Sequence, residues 1–203
     1  MTGKVSRPTH AWPGLAMRPK LQKSGRVQLR ILAKVDAAAF VAAARASRGL
    51  HHPWIHPPAT ADEFARRIRR TREDSNWIAL LAARRDDGAL LGVFNLSEII
   101  RGPLQQAFLG YYAFSPHTGK GYMNEGLQLV LDYAFRTLKL HRIEANIQPA
   151  NHPSIALVRA CGFIQEGYSA RYLKIGGRWR DHERWAINAD EWRARRPADR
   201  QVT

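Results

Sequence analysis

The sequence predicts a mixed α/β (α+β) domain: a central sheet with helices on both faces. Three observations carry this. Apolar runs of strand length recur, as in RVQLRIL (26–32) and NWIALLAAR (76–84). Between them lie helical stretches with recognisable start and stop signals. From 76 to 114 three strands follow one another, divided by Asp86-Asp87-Gly88 and Arg101-Gly102-Pro103, which reads as an antiparallel meander.

Taken in order, 26–32 alternates and reads as a strand. DAAAFVAAARASRG (36–49) is alanine-rich and reads as a helix stopped by Gly49. Three prolines make 50–58 a loop, and Thr60 with Glu63 has capping-box spacing at the head of the next helix. The meander strands are 76–84, 89–100 and 105–114. A glycine loop leads into a helix at 122–138. HRIEANIQ (141–148) reads as a strand and PSIALVRACG (153–162) as a helix ended by Gly162. The last two strands, 163–177 and 178–187, form a hairpin across Gly176-Gly177.

The chain has 203 residues, enough for one domain with a real core. No apolar run approaches the roughly 18 residues of a membrane helix. The first twenty residues lack an apolar core segment, so they do not read as a secretory signal. A lone cysteine, Cys161, excludes an intrachain disulfide and a cysteine zinc site and favours a reducing cytoplasm. The net charge is +15, and nine of those charges lie in 1–26 and 193–203. Residues 1–25 and 191–203 therefore read as basic flexible tails around a domain at 26–190. Such tails are either merely solvated or drawn to a polyanion such as ribosomal RNA. His51, His52 and His56 share one proline-rich loop, but no acid or cysteine lies near them, so no metal is expected.

The informative stretch is HTGKGYMNEGLQLVLDYAF (117–135). A strand, a glycine turn and a helix start make an anion cradle, because the first helical N–H groups lack internal partners and face the positive end of the dipole. Nucleotide motifs fail here. Lys120 is followed by Gly121 rather than Ser or Thr, and the third glycine of a dinucleotide fingerprint is replaced by Asn124. Taken alone, the loop is better explained by a tight strand-to-helix turn.

Further pieces accompany it: Gly-Lys-Gly-Tyr-Met-x-Glu, Leu-His-Arg-Ile-Glu-Ala-Asn, Pro-x-Asn-x-x-Ser, Cys-Gly-Phe-x-x-Glu-Gly and Trp-Arg-Asp-His. Together they resemble the GNAT superfamily of acetyl-CoA-dependent N-acetyltransferases, over about 26–190. Within it the RimJ/RimL-type branch, which acetylates N-termini of ribosomal proteins, is most similar, its alanine-specific side in particular. The resemblance implies a mostly antiparallel mixed sheet splayed into a V, flanked by about four helices, with acetyl-CoA as co-substrate in the split.

The same resemblance implies the site. Thr118, Gly119, Lys120, Gly121, Tyr122 and Met123 would hold the pyrophosphate, with Lys120 either pairing to a phosphate or staying solvated. The superfamily's Arg or Gln three residues before the first glycine is Pro116 here, which leaves only the backbone cradle. The thioester would lie along Tyr112 to Ser115, including Phe114 and Ser115. Asn151 would bind the pantetheine arm, and Ser154 would put a hydroxyl near the sulfur. The alternative is that either merely caps the helix that follows, though one residue can both cap and bind. Glu98 is the expected general base, with an exposed strand carboxylate as the alternative; Glu144 is a second acid of the same kind. Trp54 walls the acceptor pocket or anchors its loop. Relatives carry an acid where this chain has Ser169-Ala170-Arg171, which removes one acid–base group.

The function so implied is direct acetyl transfer from acetyl-CoA to a primary amine, most simply the N-terminal α-amine of a ribosomal protein. A small-molecule amine or antibiotic is the alternative acceptor. A non-catalytic acetyl-CoA- or RNA-binding module is the alternative class. A monomer or homodimer with no membrane partner is expected.

Overall fold

The computed structural model describes residues 22–195; the rest of both basic tails lies outside the described residues. The chain runs β1 (Gln22–Ser24), β2 (Val27–Ile31), a 3-10 turn (Lys34–Asp36), α1 (Ala37–Ala46), α2 (Arg48–His51), α3 (Ala61–Glu73), β3 (Ile78–Arg84), β4 (Leu90–Ile100) and β5 (Gln106–Ala113). It continues with α4 (Tyr122–Asp132), which ends in a π turn at Tyr133–Thr137. Then come β6 (Arg142–Ile147), α5 (His152–Ala160), β7 (Ile164–Ile175), β8 (Arg178–Asn188) and α6 (Ala189–Arg195).

All eight strands form one sheet in the order β1-β2-β3-β4-β5-β6-β8-β7. Every neighbouring pair is antiparallel except β5 with β6, which is parallel. That pair is in register only from Gln106 opposite Arg142 to Phe108 opposite Glu144. Beyond it the two strands diverge, which is the expected V.

Alternation along the strands builds a core on each face. Leu80, Ala82, Phe94 and Leu96 pack with α4, α5 and α6 through Leu127, Val130, Val158 and Trp192. Ala79, Leu81 and Val93 pack on the other face with Phe40, Phe64 and Ile68 of α1 and α3.

Local signals explain most boundaries. The capping box at α3 is complete: Glu63 N–H donates to Thr60 Oγ1 at 3.2 Å, and Thr60 N–H donates to Glu63 Oε2 at 3.1 Å. Gly176 and Gly177 both have positive φ, as the tight turn of the β7–β8 hairpin requires. The first helix ends differently from expectation. Gly49 lies inside α2, and α1 stops at buried Ser47, whose hydroxyl donates back to Ala43 O at 2.7 Å. Two further elements carry little sequence signal. Gln22–Ser24, within the stretch read as a tail, pairs with β2. Residues 191–195, also read as tail, belong to α6, whose Trp192 is buried.

Candidate active site

The split between β5 and β6 opens into a cavity of about 670 Å³. One wall is β5 from Leu109 to Ala113; the other is Asn146, Ile147 and Gln148. Phe114 N–H bonds to Leu91 O, so even-numbered residues of β5 face β4. The backbone groups of Leu109, Tyr111 and Ala113 therefore point into the split, where β6 no longer meets them. The Ala113 carbonyl is taken by His51 Nε2 at 2.8 Å. The N–H groups of that edge stay available to a ligand.

At one end of the cavity stand His117, Thr118, Gly119, Gly121, Tyr122 and Met123. Gly119 and Gly121 have φ of 75° and 81°, a region only glycine enters freely. Gly121 is the N-cap of α4 and supplies no side-chain cap. Among the described residues no hydrogen bond engages the N–H groups of Thr118, Gly119, Gly121, Tyr122 or Met123. The loop is braced from behind by Arg26. Its Nε donates to Glu125 Oε1 at 2.7 Å, its Nη2 donates to Lys120 O at 3.1 Å, and its guanidinium stacks on Tyr122 at 4.6 Å. Lys120 itself is exposed and does not line the cavity.

Asn151 and Ser154 meet at the floor. Asn151 is the N-cap of α5, its Oδ1 accepting from Ser154 N–H at 3.3 Å, and both residues line the cavity. Capping uses the oxygen of Asn151 and leaves its amide NH₂ group for a ligand. Tyr111 crosses the split to donate to Ser154 O at 2.9 Å. Burial pushes the Tyr111 and Tyr112 hydroxyls well above their ordinary pKa, so both stay protonated.

The other end is lined by Trp54, Ile55, Leu173, Ile175 and His182. Trp54 is half-buried, and its carbonyl lies 3.5 Å from Gln148 Nε2. His182 was not anticipated as a site residue, although it stands in the Trp-Arg-Asp-His piece.

Several expected residues lie elsewhere. Phe114 is fully buried in the core beside Phe40, and Ser115 gives its N–H to Ser47 Oγ at 2.9 Å; neither lines the cavity. Glu98 is exposed at a bulge of β4. Its neighbour Ser97 faces Phe108, at the closed end of the V, so Glu98 lies away from the cavity. Glu144 pairs with Arg142 at 3.2 Å, also near the closed end. No Asp or Glu lines the cavity among the described residues. Cys161 is buried, and burial pushes its thiol up to about 12, so it is no nucleophile. His51 is buried against Ala113 O, while His52 and His56 are exposed; all three line a second, outer cavity, and only His51 also lines the split. This second cavity, of about 670 Å³, is lined by residues 48–59 and by α3, with Arg48, Arg66, Arg67, Arg70 and Trp77 on its walls. It shares only His51 and Ile55 with the split and has neither glycine loop nor strand edge.

The parallel pair parts beside the glycine-capped start of α4, where N–H groups left unengaged among the described residues form a cradle suited to an anion. The chain belongs to the family described as the acetyltransferase (GNAT) domain, whose model matches residues 26–164. It is 48% identical over 106 residues to the probable N-acetyltransferase YjcK of Bacillus subtilis, covering 52% of this chain and 59% of that one. It is 40% identical over 107 residues to the [ribosomal protein uS5]-alanine N-acetyltransferase of Escherichia coli, covering 53% and 55%. The chain thus spans little more than half the length of these curated relatives. Its fold is similar to that of Mycobacterium smegmatis RimJ in complex with CoA-disulfide, with a TM-score of 0.74 and 31% identity over 81% of this chain and 83% of that one.

Proposed function

We propose that the protein moves acetyl from acetyl-CoA directly to a primary amine, and that the amine is the N-terminal α-amine of a protein, ribosomal by analogy with the uS5-alanine enzyme. The unpaired N–H edge of β5 supports the transfer. Donors at Tyr111 and Ala113 would polarise the thioester carbonyl. The N–H groups at 118–123 would hold the pyrophosphate, and the Asn151 amide and Ser154 hydroxyl would meet the pantetheine arm and sulfur. Acetyl-CoA supplies the activated acyl group; the residues bind, orient and polarise it.

The observation that carries the acceptor class is the absence of carboxylates from the described cavity lining. A polyamine or aminoglycoside has several cationic groups to balance, whereas a protein N-terminus has one, followed by an uncharged backbone that can enter a slot walled by Trp54, Leu173 and Ile175. The basic tails would hold the protein near RNA.

Free-thiol release from acetyl-CoA should rise with peptides beginning Ala, Ser or Met, and mass spectrometry should find acetyl on the α-nitrogen. Turnover confined to small amines would overturn the acceptor reading. Tight acetyl-CoA binding without turnover on any amine would favour the non-catalytic module.

A further inference from the structure

We infer that Nε2 of His182 accepts the proton from the incoming amine. The inference rests on reading the cavity as an acetyl-transfer site.

An amine with a pKa near 8 is mostly protonated at neutral pH and cannot attack until it loses a proton. With no carboxylate on the described walls, three histidines are the available bases: His51, His117 and His182. Their hydrogen bonds separate them. His51 must donate from Nε2, because the Ala113 carbonyl can only accept, and its Nδ1 is sealed in the protein without a partner. It has no lone pair that an amine can reach. His117 stands beside the glycine loop, its ring 6.4 Å from Tyr122 and its Nδ1 enclosed, at the phosphate end of the slot.

His182 lies at the opposite end, opposite Ser169 on the hairpin. Its Nδ1 is 2.9 Å from the Arg180 carbonyl, so that nitrogen carries the proton. Nε2 is then a bare acceptor. It has no partner among the described residues and is not sealed from the cavity. The residue is only 3% exposed, and its ring centroid lies 6.2 Å from that of Tyr172 in an edge-on contact.

The groups facing it leave it neutral. Asp181 precedes it but is occupied by the Tyr168 hydroxyl and Arg171 N–H, and Tyr172 packs edge-on against the ring. Tyr111, Tyr112 and His51 line the same cavity. Burial lowers the His182 pKa below 6.5, outweighing the Arg180 carbonyl and Asp181, which raise it. A neutral imidazole is therefore ready at pH 7.

The step balances as follows. The ammonium passes one proton to Nε2, and its freed lone pair forms the C–N bond at the thioester carbon. The C–S bond breaks with its electron pair on sulfur, a second amine proton ends on that sulfur, and the imidazolium returns its proton to water. The products are an amide, a free thiol and one proton in solvent.

Two measurements test this. In wild-type protein, ¹⁵N spectra of the imidazoles should give His182 as the Nδ1–H tautomer at pH 7; an Nε2–H tautomer overturns the inference without any variant. In kinetics, His182→Ala and His182→Gln should keep acetyl-CoA affinity by calorimetry and lose about 10²-fold in kcat. In His182→Ala the acid limb of kcat/KM should move up toward the pKa of the amine, and added imidazole should restore part of the rate. An unmoved acid limb with no imidazole rescue would overturn the inference. An Ala-initial peptide and ethanolamine serve as parallel acceptors. Turnover of ethanolamine alone would fail the protein-acceptor reading while the histidine is still judged on that amine.

Discussion

The hydroxyl of Tyr111 donates to the backbone carbonyl of Ser154 over 2.9 Å, joining β5 to the first turn of α5 across the split. It fixes how far the Ser154 side chain stands from the open strand edge. Tyr111→Phe should cost about 1 kcal/mol of stability, the net worth of one hydrogen bond. It should also lower kcat with little change in KM for acetyl-CoA, because it loosens the reacting end and not the phosphate end. Chemical denaturation and steady-state kinetics on one preparation check both. Ser154→Ala, which keeps the backbone carbonyl, should lower kcat without the stability loss.

Asn151 has two separable duties. Asn151→Ala removes the cap and should cost about 1 kcal/mol. Asn151→Asp keeps an oxygen for Ser154 N–H but replaces the amide NH₂ with a carboxylate oxygen. Its stability should stay near wild type while its KM for acetyl-CoA rises. Equal KM values for Asn151→Asp and wild type would leave Asn151 as a cap alone.

Arg26 and Glu125 hold the glycine loop from behind. The pair is partly exposed, so its direct worth to stability is small. Arg26→Ala should leave the melting temperature almost unchanged yet weaken acetyl-CoA binding by about three- to tenfold, since a loosened cradle must be ordered on binding. Gly121→Ala should act more strongly. It places a side chain at φ 81° and brings the new methyl within 3.3 Å of Arg26 Nη2. Isothermal calorimetry with CoA resolves the two.

Stability should fall on mild acidification. Burial lowers the pKa of His51 and of His182 below 6.5 in the folded protein, and the bonded Ala113 carbonyl only partly restores it for His51. Below pH 6.5 the unfolded chain takes up protons that the folded chain refuses. Stability is therefore full above about pH 6.5 and is lost as pH falls through the depressed folded values. His51→Asn should flatten the slope between pH 6.5 and 5, measured by denaturant midpoints, above the range where carboxylates titrate.

Glu98 should be dispensable. Glu98→Gln is expected to leave kcat/KM within about twofold, as for any group that makes no contact in the transition state. Its backbone has φ 48°, which a side chain tolerates poorly. Glu98→Gly should therefore be neutral or stabilising by up to about 1 kcal/mol.

The same residue marks a limit of sequence reading. Alternation assigns faces only while a strand stays regular, and the β4 bulge between Ser97 and Ile100 leaves no fixed composition behind it. The glycine loop, the α3 capping box and the Gly176-Gly177 turn were legible because each depends on a residue type at a fixed offset. His182 and Arg26 were not, since each gains its part from a partner distant in sequence or from the side of a strand it faces. Trp192 was the one apolar hint that the basic tail begins with a packed helix.

The three-residue contact between β5 and β6 has a topological consequence. Tyr122 and Met123 at one end of the gap belong with the core on one face of the sheet, and Ile55 at the other end belongs with the core on the opposite face. The gap is thus bordered by residues that pack with the cores on both faces of the sheet. In the proposed acetyl transfer, donor and acceptor would then approach the bare edge of β5 from opposite faces of the sheet, and the two products would part the same way.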